Sequence, residues 1–131
     1  MTDAAALMRR WDEAMSRKDA ATAAGLSPED VEYLDHRGLG WEPLHGRTAV
    51  QAWYQSMFDA VGDLKVRSEV LESHGDTILL RQTGSFRARP QDGGGEAVLD
   101  GITLVTLRDG SFARIEIFED EAAARGARAA S

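Results

Sequence analysis

The dipeptide Asp109-Gly110 stands between two runs of aliphatic and β-branched residues, Val98–Leu107 and Phe112–Phe118. A two-residue type I′ hairpin turn needs φ > 0 at both central positions, which glycine adopts freely and aspartate tolerates. With this pair as the loop, Arg108 faces Ser111, and alternation predicts the rest of the register. One face carries Thr106 with Ala113, Leu104 with Ile115, Ile102 with Ile117, and Asp100 with Glu119. The other carries Leu107 with Phe112, Val105 with Arg114, Thr103 with Glu116, and Gly101 with Phe118. In this register Asp100 closes an aliphatic stripe, as either a strand end in water or a carboxylate facing a cavity.

The hairpin ends a longer antiparallel run from Leu64 to Glu119. Strands are predicted near Lys65–Ser73, Thr77–Ala88, Glu96–Leu107 and Phe112–Glu119, joined by a tight turn at His74-Gly75-Asp76 and a flexible loop at Gln91–Gly95. Before them, Leu7, Met8, Trp11, Ala14 and Met15 recur at helical spacing and predict a helix over residues 3–18. A short helix over Asp19–Ala24 and a short strand over Val31–Asp35 follow. An irregular connection then leads to a third helix from about Thr48 to Ala60, with Trp53, Tyr54, Met57 and Phe58 on its buried face. Residues 121–131 read as an Ala/Arg tail that could form one helical turn or two, broken by Gly126 and fraying into solvent. The order α-α-β-α-β-β-β-β predicts a single α+β domain over residues 1–131. Its sheet is expected to be strongly curved, a cystatin-like cone around three helices with a pocket at the open end.

A chain of 131 residues is long enough for a core without staples. It has no cysteine, so disulfides and thiolate metal sites are excluded, and a formal charge of −7 argues against a nucleic-acid partner. The start, Met1-Thr2-Asp3-Ala4, has neither the basic nor the apolar region of a signal peptide, and no apolar run is long enough for a membrane span. The expectation is a soluble cytoplasmic protein with no membrane partner. Its Ala, Arg and Gly content suits a GC-rich bacterial genome.

The element order, with Gly46-Arg47-Thr48-Ala49-Val50 opening the third helix and Gly110…Phe118-Glu119-Asp120 closing the last strand, resembles the nuclear-transport-factor-2-like superfamily. Within it, the chain is most similar to the SnoaL-like polyketide cyclases and the limonene-epoxide-hydrolase group. That resemblance implies a hydrophobic pocket but not one chemistry, since the fold hosts isomerases, cyclases, hydrolases and binding modules. The epoxide-hydrolase group has an Arg-x-Asp pair on a central strand. Arg81 matches its arginine, while Thr83 replaces the acid. Both groups place an aspartate on the last strand, where this chain has Ile117. Tyr33 and Asp35 fit the Tyr-x-Asn/Asp spacing of the first strand.

Asp35-His36-Arg37 concentrates the most chemistry. A carboxylate and an imidazole beside a pocket can move protons, but Asp35 could equally cap a strand end through Arg37 or Arg47. Arg81, in an otherwise apolar strand, calls for a carboxylate such as Asp35 or Asp100. The candidate catalytic residues are thus Asp35, His36, Arg81 and Asp100. Candidate substrate-binding residues are Tyr33, Trp41, Trp11, Trp53, Phe58, Ile102 and Ile117. His36, His45 and His74 lack metal-ligand spacing, so neither metal nor cofactor is expected.

Two functions remain open. One is a cofactor-independent cyclase or isomerase working by general acid/base chemistry on a small apolar or polyketide-like substrate. The other is a non-catalytic module that binds a small ligand or dimerises. Apolar residues on both hairpin faces (Phe112, Phe118, Val105, Leu107) imply a homodimer through the outer sheet face.

Overall fold

The computed structural model describes residues 3–38, 40, 42–87 and 96–130. The expectations for Trp41 and for the glycine loop at 91–95 lie outside the described residues.

Helix α1 (Ala4–Ser16) starts where the Asp3 carboxylate accepts the Ala6 amide at 3.2 Å, and it buries Leu7, Met8, Trp11, Ala14 and Met15 as a single stripe. Asp19 caps the short α2 (Ala20–Ala24) in the same way, accepting the Thr22 amide. Strands β1 (Glu32–Asp35) and β2 (Leu44–His45) pair before α3 (Arg47–Ala60), whose buried positions Val50, Tyr54 and Phe58 recur every fourth residue. Then come β3 (Leu64–His74), β4 (Thr77–Arg87), β5 (Glu96–Arg108), β6 (Ser111–Phe118) and α4 (Glu121–Ala130).

The strands form one six-stranded sheet in the order β2-β1-β6-β5-β4-β3, with β1 and β6 parallel and the other pairs antiparallel. This corrects the expected cone. The sheet is open rather than strongly curved around three helices, because its edge strands, β2 and β3, do not pair with each other. Its two faces carry separate apolar clusters. Residues of α1, α2 and α3 pack on Ile78, Leu80, Val105 and Ile115, while Ala124 of α4 packs on Leu79, Ile102, Leu104 and Phe118. A sheet that must bury both faces is a layer between helices, not a shell around them.

Asp109 and Gly110 have φ of 54° and 77°, as the type I′ turn demands, and Arg108 does face Ser111. One step on, the register departs from simple alternation. Leu107 pairs with Phe112 but Thr106 pairs with Arg114, so Ala113 is an extra residue on β6. This β-bulge flips every later side chain of β6 relative to β5. Ile115 and Ile117 therefore lie beside Val105 and Thr103, and Asp100 shares its face with Ile102 and Leu104 on the other side. A second bulge at Leu71 sends that side chain to the α4 cluster.

The tail expected to fray is helix α4. Asp120 accepts the Ala123 amide at 2.8 Å, Ala124 is fully buried, and Arg125 and Arg128 both pair with Glu72. Packing of this apolar face offsets the cost of Gly126 inside a short helix. The hairpin residues that suggested a second copy are also covered within the chain. Val105, Phe112 and Leu107 belong to the inner core, and Phe118 lies in the α4 cluster.

Candidate functional site

Strand β1 builds the site. Because it runs parallel beside β6, Tyr33 and Asp35 face the same side as their partners Ile115 and Ile117. At the strand's end the Arg37 amide donates to Asp35 Oδ1 at 3.0 Å, turning the chain back on itself. That turn brings the guanidinium onto the carboxylate. Arg37 Nε donates to Oδ1 at 2.9 Å and Nη2 donates to Oδ2 at 2.6 Å. The Asp35 side chain is only 4% exposed. Burial pushes its carboxyl up, but the side-chain and backbone hydrogen bonds from Arg37 outweigh this and leave it below the ordinary range.

Between α1, α3 and the inner sheet face lies a cavity of about 120 Å³. Its walls are mostly apolar, with Met15, Met57, Leu64, Val66 and Ile117 among them. Two glycines on neighbouring strands hold it open. A Cβ on Gly84 would meet nothing within 4 Å, and one on Gly101 would lie 3.7 Å from Ile117 Cγ2 and 4.0 Å from Arg37 Nη1. The guanidinium thus borders the space left above Gly101.

Polar side chains interrupt these walls: Tyr33, Tyr54, Gln82 and Thr103 beside Arg37, with Asp100 at the rim. Burial drives the Tyr33 phenol up to about 12, partly offset by a hydrogen bond with Trp53. Burial also holds Tyr54 well above its ordinary value, so both remain protonated near neutral pH. Gln82 donates to Ser68 Oγ at 3.5 Å, and Ser68 in turn gives its amide and hydroxyl to Asp12 at 2.8 and 2.7 Å. Burial raises Asp12, with the Ser68 bonds working against it. A second cavity of about 270 Å³ lies beyond Tyr33, bordered by Asp35, Leu44 and Trp53.

The structure sorts the candidates by face. Trp11, Tyr33 and Ile117 line the smaller cavity, and Trp53 lines the larger. Phe58 is core, 6.3 Å from the Tyr54 ring, and Ile102 belongs to the α4 cluster. His36 faces away from the cavity, stacked 4.7 Å from Phe118 with Nε2 3.1 Å from Glu116. Arg81 is on the outer face with Thr83, its side chain 43% exposed and 3.3 Å from Glu121. Asp100 reaches the cavity rim, but its carboxylate is 57% exposed and 3.9 Å from Arg81. Asp35 is thus separated from both Arg81 and Asp100, and its partner is Arg37. The sequence reading missed Arg37 as a cavity wall. Its signal was the two-residue spacing to Asp35, read there only as a strand-end ion pair.

Residues 8–115 match the model of the SnoaL-like domain. The chain belongs to this family. Among solved structures, a provisionally named polyketide cyclase of Xanthomonas campestris pv. campestris superposes on this SnoaL-like chain with a TM-score of 0.73 at 22% identity, covering 88% of this chain and 89% of that one. A provisionally named isomerase of Bacillus subtilis gives 0.74 at 16% identity, over 98% and 94%. The protein TerC, crystallised with polyporic acid, gives 0.72 at 18% identity, over 93% and 95%. At these identities the likeness is one of fold. No curated protein matches the sequence. Among the described residues, no three His, Asp or Glu side chains are grouped to hold a metal ion, and no helix is long and apolar enough to cross a membrane.

Proposed function

We propose that this SnoaL-like domain binds a small, largely apolar molecule between α1, α3 and the sheet, with an oxygen of that molecule on Arg37. The observation that carries this is the Arg37 guanidinium, clamped by Asp35 and bordering a space whose walls are largely apolar. A pocket of this kind, with largely apolar walls and a small number of placed polar groups, is the usual form of a small-molecule site. No cofactor enters the reading. The test is a titration with small cyclic compounds followed by tryptophan fluorescence. Saturable quenching that Arg37→Leu weakens supports the site, and quenching indifferent to Arg37 removes it.

A second reading, a cofactor-independent cyclase or isomerase, is favoured by Asp35 sharing the inner strand face with Tyr33. In it, Asp35 takes a proton from the carbon beside a substrate carbonyl. The electron pair moves onto the carbonyl oxygen, Arg37 stabilises the oxyanion, and the proton returns at a different carbon. Arg37 must then share its donors between Asp35 and the substrate. The Asp35–Arg37 bonds depress the basicity of this carboxylate, so binding is the stronger reading. Deuterium uptake from D2O into a bound ketone, lost in Asp35→Asn, distinguishes the enzyme from the binder.

A further inference from the structure

Several hydrogen-bond donors line the smaller cavity. Tyr33 and Tyr54 keep their hydroxyl protons and Arg37 can only donate; Gln82 and Thr103 beside them also carry acceptors, as does Asp100 at the rim. Trp11 adds a further donor. Its side chain lines the cavity and is 2% exposed, and its indole N–H makes no hydrogen bond of normal geometry in the protein, though it lies near enough to Tyr54 to lower that phenol slightly. A buried donor without an acceptor costs free energy that a ligand acceptor would recover.

The charge balance limits the ligand further. Arg37 is the cation at the wall, and Asp35 neutralises it at hydrogen-bond distance. A carboxylate entering here would bring an uncompensated charge into a mostly apolar space, inside a chain whose formal charge is already −7. A neutral oxygen acceptor meets no such penalty. Size gives the last limit: a closed apolar cavity of about 150 Å³ holds benzene, so this one, about 120 Å³ and partly open, has room for no more than a single small ring.

We infer that the cavity is selective for a neutral, monocyclic carbonyl compound, with Trp11 as a hydrogen-bond donor to it alongside Arg37. This rests on the binding reading above and adds the ligand class to it.

The test uses three probes of similar size: cyclohexanone, toluene and benzoate. Affinities are measured for the wild-type chain and for Trp11→Phe, which keeps most of the ring and removes the donor. Cyclohexanone is expected to bind at least about tenfold more tightly than benzoate. Trp11→Phe is expected to weaken cyclohexanone by about fivefold to tenfold while leaving toluene within about twofold. Tighter binding of benzoate, or an equal response of cyclohexanone and toluene to Trp11→Phe, overturns the ligand class and leaves the site standing. Failure of both cyclohexanone and toluene to bind overturns the site itself. Because Trp11 also packs on Phe112, with ring centroids 5.2 Å apart, its indole N–H resonance in the wild-type chain gives a readout that needs no variant. It is expected to move downfield with cyclohexanone and not with toluene; the same response to both overturns the assignment.

Discussion

Arg37 holds both carboxylate oxygens of Asp35 through Nε and Nη2, two residues along the chain from the strand end that orients them. This contact decides what the pocket can do. It presents one fixed guanidinium to the cavity and ties up the Asp35 carboxylate beside it. Removing one partner should therefore cost more than the pair's net contribution, because a charge stays behind where water is scarce. Arg37→Leu is expected to destabilise the fold by about 3 kcal/mol in urea unfolding at pH 7. Arg37→Lys, which keeps the charge but loses the fork, should fall between it and the wild type. Equal stability of all three chains would show that the pair is not holding β1 in place.

The pH dependence follows from the same contact. The Asp35 carboxyl is lower in the folded chain than its ordinary 3.8. A depressed carboxyl contributes stability that is fully present above its unfolded value and is lost as pH falls through the folded one. Wild-type stability should therefore drop as pH falls below about 4, and this component should vanish in Asp35→Asn. Asp12 has the opposite sign. Burial raises it, so its ionisation costs stability and that cost is relieved as pH falls through its folded value toward 3.8. Asp12→Asn should remove an acid-side gain, visible as a steeper acid decline than wild type in denaturant midpoints.

Gly84 offers a way to fill the cavity from inside. Because a Cβ there meets nothing within 4 Å, Gly84→Leu should still fold, with a stability cost of no more than about 3 kcal/mol. Binding of any cavity ligand should fall by tenfold or more (about 1.4 kcal/mol). Urea unfolding checks the first and calorimetric titration of the same preparation checks the second. Unchanged affinity would place the ligand elsewhere, the larger cavity beyond Tyr33 being the next location.

Helix α4 gives a prediction about association. Ala124 is fully buried against Leu79, Ile102, Leu104 and Phe118. Ala124→Glu should lift the helix and expose a contiguous apolar face, which soluble monomers rarely leave uncovered. The expected outcome is dye binding to exposed apolar surface and an increase in mass by size-exclusion light scattering. An Ala124→Glu chain that stays at the wild-type mass and binds no dye would contradict the role assigned to α4.

The elements were legible where short-range physics decides them. The Asp109-Gly110 turn follows from φ alone, and α1 and α3 follow from apolar spacing over three turns. The face of Asp100 was not legible. It depends on one bulged residue, Ala113, in a run (Ala113-Arg114-Ile115-Glu116-Ile117) that alternates acceptably in either register. One residue of slip moved Asp100 away from Ile115 and Ile117, and Arg81 lies with it on the outer face. Helix α4 was hidden for a different reason. An Ala/Arg segment with an internal glycine has little stability alone, and its order comes from an apolar patch assembled by three distant strands. The ion pair of Asp35 with Arg37 was among the alternatives in the sequence. Its place on a cavity wall was not, because that depends on Gly84 and Gly101 lacking side chains.

The most direct measurement is a crystal structure of the chain soaked with cyclohexanone. The account predicts a molecule above Gly84 and Gly101 with its oxygen within hydrogen-bond distance of Arg37. A molecule seated only in the cavity beyond Tyr33, or one in the smaller cavity with its oxygen turned away from Arg37, would contradict it.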